Sequence, residues 1–415
     1  METVLSASSA DVVERDRRIT HAREIMRTLN LEALIVSDFA QAPQPAYARY
    51  LSGFHLSPAI GPVNHVVVVP REGEPTLVVP PGQKRSFAHL AAARSWIPNI
   101  STTYQDDPQW ELDTRWGHLA TYLGDGVTRA LREAGLESAR IGVAGSWSGF
   151  EDLGRLLPDA SFEPTIAHDG DRPPIDLLVD LIWTNSDWEL GRLAIAQRAS
   201  DAAVRAYISA ARGGSSPREA FLDAEIAAKR AGVDDVTLYG SAGVGPWAFW
   251  DLAHPAHDRF VTERVYFIEV ALTGWAGFGV QSGRSFMLGA PSDPQQLLIN
   301  TSQRALDALV DAVRPGVTGG QLWEVGYGIA RDSGLESWAQ FGHHKGLLPG
   351  SSPRRIAFMP HDENRLDRGQ TVVVHPGLYD AATGDAAFIG DTVFVEEDGC
   401  RLLTNSPLAY GLEDN

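Results

Sequence analysis

Residues 366–379 read Leu-Asp-Arg-Gly-Gln-Thr-Val-Val-Val-His-Pro-Gly-Leu-Tyr. Thr371-Val-Val-Val374 is a short, β-branched, apolar run bounded by Gly369 and by Pro376-Gly377, the signature of a buried strand. His375 stands at its end, where a side chain leaves a sheet for a cleft. Working outward, strand-like runs recur at residues 265–271, 284–288 and 392–395, and helical spacing marks residues 295–313 and 320–333. Such strands surrounding helices predict an α+β domain. Ahead of them, residues 187–212 and 217–231 read as amphipathic helices, started by Ser186 before Asp187 and Glu189, and by Ser216 before Pro217.

The first half has a different rhythm. A helix over residues 13–31 feeds a strand over 31–37. Two apolar runs, 65–70 and 75–79, flank Arg71-Glu-Gly-Glu74 as a hairpin, and a helix over 121–134 precedes a strand over 140–144. This alternation predicts an α/β domain with a helix-covered sheet. Asp169-Gly-Asp-Arg-Pro-Pro174 cannot continue a helix or a strand and reads as a linker, which places the expected domains at 1–175 and 176–415. No internal repeat of 20 to 50 residues is visible.

The 415 residues suggest two or three domains, and 44% hydrophobic with 21% charged side chains fits a globular protein. Lys and Arg number 35 against 53 Asp and Glu, so a net charge of −18 repels phosphate backbones and anionic lipid, and neither nucleic acid nor membrane is expected as a partner. The first 18 residues read as a polar leader without a secretory pattern. No stretch approaches a membrane span, and mean hydropathy is −0.15. One cysteine, Cys400, permits neither an intrachain disulfide nor a cysteine-rich zinc site, so a reducing cytoplasm is the expected location.

Several blocks resemble the creatinase, aminopeptidase P and prolidase family. In the first half these are Leu31-Glu-Ala-Leu-Ile-Val36 and Tyr50-Leu-Ser-Gly-Phe54. Leu181-Ile-Trp-Thr-Asn-Ser-Asp-Trp-Glu-Leu190, with Ala196 and Ala199, is similar to the opening of the family's catalytic domain. Residues 264–286, Phe341-Gly-His-His-Lys-Gly346, residues 366–379 and Ile389-Gly-Asp-Thr-Val-Phe-Val395 with Gly399 follow in the family's order. The resemblance implies an N-terminal α/β domain, a C-terminal pita-bread α+β domain and a homodimer in which the partner's loop equivalent to residues 55–64 helps complete the pocket.

Metal-dependent members of that family bind two divalent ions through two Asp, one His and two Glu. The resemblance puts Glu269 at the first Asp, Gln281 or Val280 at the second, His343 at the His, His375 at the first Glu and Gly390 at the second. A dinuclear centre would lack its bridging carboxylates, so no cofactor is expected. Glu269, His343 and His375 still make a two-His, one-carboxylate set of the type used by mononuclear iron, and they remain an alternative.

Creatinase works without metal, and its catalytic stretch resembles Asp251-Leu-Ala-His-Pro255, which assigns acid/base duty to His254, with His257 a turn away. A histidine titrating near neutrality can both give and take a proton during C–N cleavage. Creatinase's two guanidinium-binding glutamates fall at Gly283 and Gly390, so a creatine-like cation finds no carboxylate pair. The implied pocket contains Glu269, Gln281, His343 and His375 among Trp247, Trp250, Trp275 and Phe278, walls suited to a flat or apolar molecule with a polar group. Asp251 and His257 complete the substrate-binding candidates.

Glu269 lies in an apolar run and must be paired if buried, with a histidine or with Arg284. His343 reads as part of a glycine-flanked turn, and Asp391 as a turn or backbone-bonding residue. Gly240-Ser-Ala-Gly-Val-Gly245 precedes Pro246 rather than a helix and does not read as a phosphate loop. Ser282-Gly-Arg-Ser285 has no nucleophile elbow around it. The leading expectation is a metal-independent hydrolase acting on a C–N bond, an amide among the candidates, with His254, His343, His375 and Glu269 as catalytic residues. A biosynthetic lyase or cyclase on the same pocket, the mononuclear metalloenzyme and a non-catalytic binding protein are the alternatives.

Overall fold

The structure, a computed structural model, describes residues 9–38, 47–54, 65–80, 86–102, 123–144, 150–167, 175–176, 178–233, 235–240, 259–273, 279–337, 340–344, 356–403 and 406. The chain divides between Ile182 and Trp183 into two compact units.

The first unit contains α1 (Ser9–Thr28), β1 (Ala33–Asp38), α2 (Tyr47–Ser52), β2 (His65–Pro70), β3 (Thr76–Val79), α3 (Ser86–Arg94), β4 (Asn99–Thr102), α4 (Gly124–Glu133), β5 (Arg140–Ala144), α5 (Phe150–Leu156), β6 (Ser161–Pro164) and the short pair β7 (Ile166–Ala167) and β8 (Ile175–Asp176). A six-stranded sheet runs β4-β3-β2-β1-β5-β6, with β1 antiparallel to β2 and parallel to β5. The β2–β3 hairpin forms as the sequence predicts. Ala33, Ile35, Val66, Val68 and Ile141 pack one face against Val127 and Leu131 of α4.

The second unit opens with α6 (Asp187–Arg212) and α7 (Pro217–Arg230). Both begin in capping boxes: Ser186 accepts from the Glu189 amide while its own N–H donates to the Glu189 carboxylate, and Ser216 does the same with Glu219. They cover the sheet of β9 (Asp235–Gly240), β10 (Tyr266–Thr273) and β11 (Gly279–Phe286). Small residues Ala199, Ala203 and Ala211 of α6 with Ala220, Ala224 and Ala228 of α7 bring these helices close, over Ile268 and Val270. Next come α8 (Asp293–Ala312), α9 (Gly319–Asp332), β12 (Glu336–Ser337), β13 (Gly342–His344), β14 (Thr371–Val374), β15 (Gly377–Tyr379), β16 (Ala386–Phe388), β17 (Asp391–Val395) and β18 (Cys400–Leu402). The order β13-β14-β17-β18 makes a second sheet, whose Val372, Val374, Val393 and Val395 face Leu306 and Leu309 of α8 and Leu322 of α9.

Two local expectations change. The strand expected over 284–288 is β11, which begins at Gly279: Gly-Val-Gln-Ser-Gly has weak strand propensity, but antiparallel pairing with β10 along its whole length overrides it. His343 lies on β13, paired with Val373, rather than in a turn.

Candidate active site

Strand alternation decides what faces what. On β10, Ile268 and Val270 point to α6 and α7, so Glu269 points away from those helices. Gly283 lies directly across from Glu269, and Gln281 across from Ala271, which puts Gln281 diagonally beside the carboxylate. Its Nε2 donates to Glu269 Oε1 at 2.5 Å. The alternate residue, Arg284, opposite Ile268, points to the helix side, and its partner there is Asp391, at 2.8 Å with both side chains fully buried. Arg284 also donates to the carbonyl oxygens of Gly283, Gly390 and Ser406. The pleat therefore excludes the Glu269–Arg284 pair held open above, and Asp391 is an ionic strand residue rather than a turn residue.

The second sheet joins the first at one bridge. Gly283 N donates to Gly390 O at 2.8 Å, and Gly390 N donates to Gly283 O at 3.0 Å. Thr392 supports the same junction: its Oγ1 accepts from Gln281 N and donates to Gln281 O. His343, opposite Val373, and His375, two residues further on, share the face opposite the α8 and α9 core. Their rings lie 5.2 Å apart, both buried. His343 Nδ1 donates to the carbonyl oxygen of His344 at 2.9 Å, which makes Nε2 the basic nitrogen of its neutral ring. The Gln340 amide stands 3.5 Å from His375 Nε2, and Phe388 stacks on His375 at 5.6 Å. Among the described residues the row across this face is thus Tyr239, Glu269 with Gln281, Phe388, His375 and His343.

His254, Trp247, Trp250, Asp251, His257, Trp275 and Phe278 lie outside the described residues. Of the expected residues, the structure brings Glu269 together with Gln281, and His343 together with His375. It does not gather Glu269, His343 and His375: among the described residues no three His, Cys, Asp or Glu side chains are placed to hold one ion. Glu269, His343 and His375 by themselves therefore do not form the two-His, one-carboxylate set. Ser282 is held by Ser200 of α6, and Ser285 exchanges hydrogen bonds with the Phe388 backbone, so neither has the company of a nucleophile.

A two-metal centre of the kind implied by the resemblance does not fit these residues either. At Gly390, the position assigned to the second Glu ligand, a Cβ would fall 2.7 Å from His375 Cβ; at Gly283, where creatinase has a guanidinium-binding glutamate, one would fall 2.2 Å from the Phe388 ring. The space at both positions is filled by neighbours, and Glu269 is the one carboxylate among the five positions assigned to metal ligands.

Sequence reading missed Tyr239, Phe388, Gln340 and Thr392. Tyr239 was within reach: Val236 and Leu238 alternate with Thr237 and Tyr239 over 236–239, a half-buried strand pattern. Phe388 had no local signal, because its role depends on the glycine opposite it.

Comparison with known proteins agrees with this architecture. The profile of metallopeptidase family M24 matches residues 191–397, and that of the creatinase/prolidase N-terminal domain matches residues 18–167. An agropine synthesis cyclase of Rhizobium rhizogenes is 30% identical over 156 residues, 36% of this chain and 39% of that protein. An Xaa-Pro dipeptidase of Pyrococcus furiosus is 28% identical over 125 residues, 30% of this chain and 35% of that protein. The chain thus spans under half the length of these curated relatives. A prolidase structure from Pyrococcus horikoshii superposes with a TM-score of 0.72 at 20% identity, covering 94% of this chain and 99% of that one, which establishes the fold: an N-terminal α/β domain and a pita-bread domain.

Proposed function

The chain belongs to the creatinase, aminopeptidase P and prolidase family, and from that premise we propose that it is a metal-independent enzyme that cleaves a C–N bond of a small molecule by histidine acid/base chemistry. The observation that carries this reading is the Gly283–Gly390 bridge, where Gly390 takes the position of a metal-binding glutamate, both glycines take positions at which creatinase places carboxylates, and Phe388 and His375 take the space. A single carboxylate and, apart from it on the same face, a pair of buried histidines have the chemistry of proton transfer and charge stabilisation rather than of cation binding. In the reading, His254 takes a proton from the attacking water and delivers one to the departing nitrogen, while His343, through its basic Nε2, and His375 orient the substrate. The enzyme acts as a homodimer in the cytoplasm, without nucleic acid or membrane. Among the described residues no helix is long and apolar enough to cross a membrane.

The test is turnover of a panel of Xaa-Pro dipeptides, N-acyl amino acids and lactams, before and after chelation, with metal content measured on protein grown in metal-supplemented medium. Activity that survives chelation and falls roughly 100- to 10,000-fold in His254→Ala is expected. Activity that appears only with added manganese, zinc or iron would overturn the reading.

One specific observation favours a second reading, the 30% identity to a protein named a cyclase. There an internal nucleophile of the substrate replaces water, with the same proton transfers. Hydrolysis in oxygen-18 water separates the two, because only the hydrolase incorporates the label.

A further inference from the structure

Strand β9 carries a side chain that the reading above leaves without a task. Val236 and Leu238 pack toward the core of α6 and α7, so Thr237 and Tyr239 stand on the opposite face. Register sets Tyr239 directly across from Glu269. Tyr239 is half-buried, and among the described residues nothing bonds its hydroxyl. Burial first, and the negative charge of Glu269 second, push its phenol above the usual tyrosine range, so at neutral pH the hydroxyl keeps its proton and is a donor. A hydrogen-bond donor and a carboxylate acceptor therefore stand side by side on neighbouring strands, whose facing Cα atoms are about 4.5–5.5 Å apart. Gln281, already bonded to the carboxylate, fixes the acceptor's orientation.

A matching ligand presents an acceptor and a donor on the same side of one C–N bond, as the C=O and N–H of a lactam or a primary amide do, and as those of a trans peptide do not. We infer that Tyr239 is a catalytic hydrogen-bond donor of this site, contacting the carbonyl oxygen of a lactam or primary-amide substrate whose N–H faces Glu269. The inference rests on the C–N-cleaving reading and names its substrate class. When water adds to the carbonyl carbon, the C=O electron pair moves onto oxygen and the phenol's hydrogen bond to it strengthens. When that pair returns, the C–N bond breaks and nitrogen leaves with a proton from the acid. The tyrosine ends as it began, neutral and protonated. A neutral donor suits this place, since a second carboxylate would repel the developing charge.

Tyr239→Phe keeps the ring and removes only the hydroxyl, and its thermal midpoint is expected to match the parent's. On a panel compound that the parent turns over, kcat is expected to fall roughly 100- to 1,000-fold with KM little changed, as for loss of one oxyanion donor. An unchanged kcat overturns the inference. A parent inactive on the whole panel refutes the functional reading instead, and the tyrosine is then judged alone by the NMR resonance of its labelled Cζ, assigned by its loss in Tyr239→Phe. Movement of that resonance on adding pyrrolidinone, a simple lactam, and its titration at lower pH in Glu269→Gln are the expected results; a resonance indifferent to pyrrolidinone overturns the inference.

Discussion

Restoring a side chain at Gly390 tests whether the site has closed against metal. A methyl group there would lie 2.7 Å from His375 Cβ, 3.0 Å from Val374 O and 3.1 Å from His375 Cα, all atoms that no side-chain rotation can move. Relief requires the end of β14 to shift against β17, a distortion of the overpacking kind, which costs about 1–3 kcal/mol. Gly390→Glu adds a buried carboxylate without a designed partner, about 1–3 kcal/mol more. For Gly390→Ala, about 2 kcal/mol corresponds to a thermal midpoint lowered by about 2 °C in a protein of 415 residues, since the unfolding entropy grows with chain length. Gly390→Glu should fall further, and manganese or zinc should not recover it. A restored dinuclear site would behave otherwise, since a ligand at 100 times its Kd returns about 2.7 kcal/mol. Differential scanning calorimetry of parent, Ala and Glu variants with and without metal reads all of this. A Glu variant as stable as the parent, or one rescued by manganese, would refute the reasoning that the end of β14 has taken the space of a ligand at position 390.

The buried Arg284–Asp391 pair ties the two sheets together from the helix side, and Arg284→Met strands a buried carboxylate at an expected cost of about 3–5 kcal/mol. Adding Asp391→Leu should recover much of that loss, and a single Arg284→Met variant with an unshifted thermal midpoint would contradict the account. In the first unit, burial above all, with the nearby Arg49 charge, lowers His65 to about 4 from an ordinary 6.5, against a hydrogen bond to the Phe54 backbone that raises it. Because the folded value is depressed, the unfolded chain binds the proton more tightly; the stability linked to His65 is complete above pH 6.5 and is lost as pH falls toward 4, on the order of 3 kcal/mol. Urea midpoints measured over that window should decline less steeply in His65→Leu than in the parent, and superimposable curves would count against it.

Much of the scaffold was legible because its signals are local. The helix over 187–212 has a capping serine, an acidic first turn and a stripe of alanines, and the structure reproduces its bounds. The strands at 65–70, 140–144 and 371–374 are likewise continuous apolar runs whose ends are set by turn residues. By contrast, β11 opens on residues that no propensity scale favours, and the two- and three-residue strands β12, β13, β15 and β16 are too short to show a period. Pairing partners distant in sequence define them.

By itself the sequence determined the fold family, the layout of helices and main strands, and the side chains that the family resemblance proposes for the site. Only the tertiary structure decided how that inventory is shared between faces. A one-residue alternation along β10 and β11 sends Glu269 and Gln281 to one side and Arg284 to the other, and the sequence cannot say which side is which until β9, β17 and the helices are in place. The same applies to Phe388, which matters because a bridge between residues 283 and 390 brings it over a glycine more than a hundred positions away. Composition and spacing are properties of the chain, whereas a site is a property of register, and register is fixed by what the sheet buries.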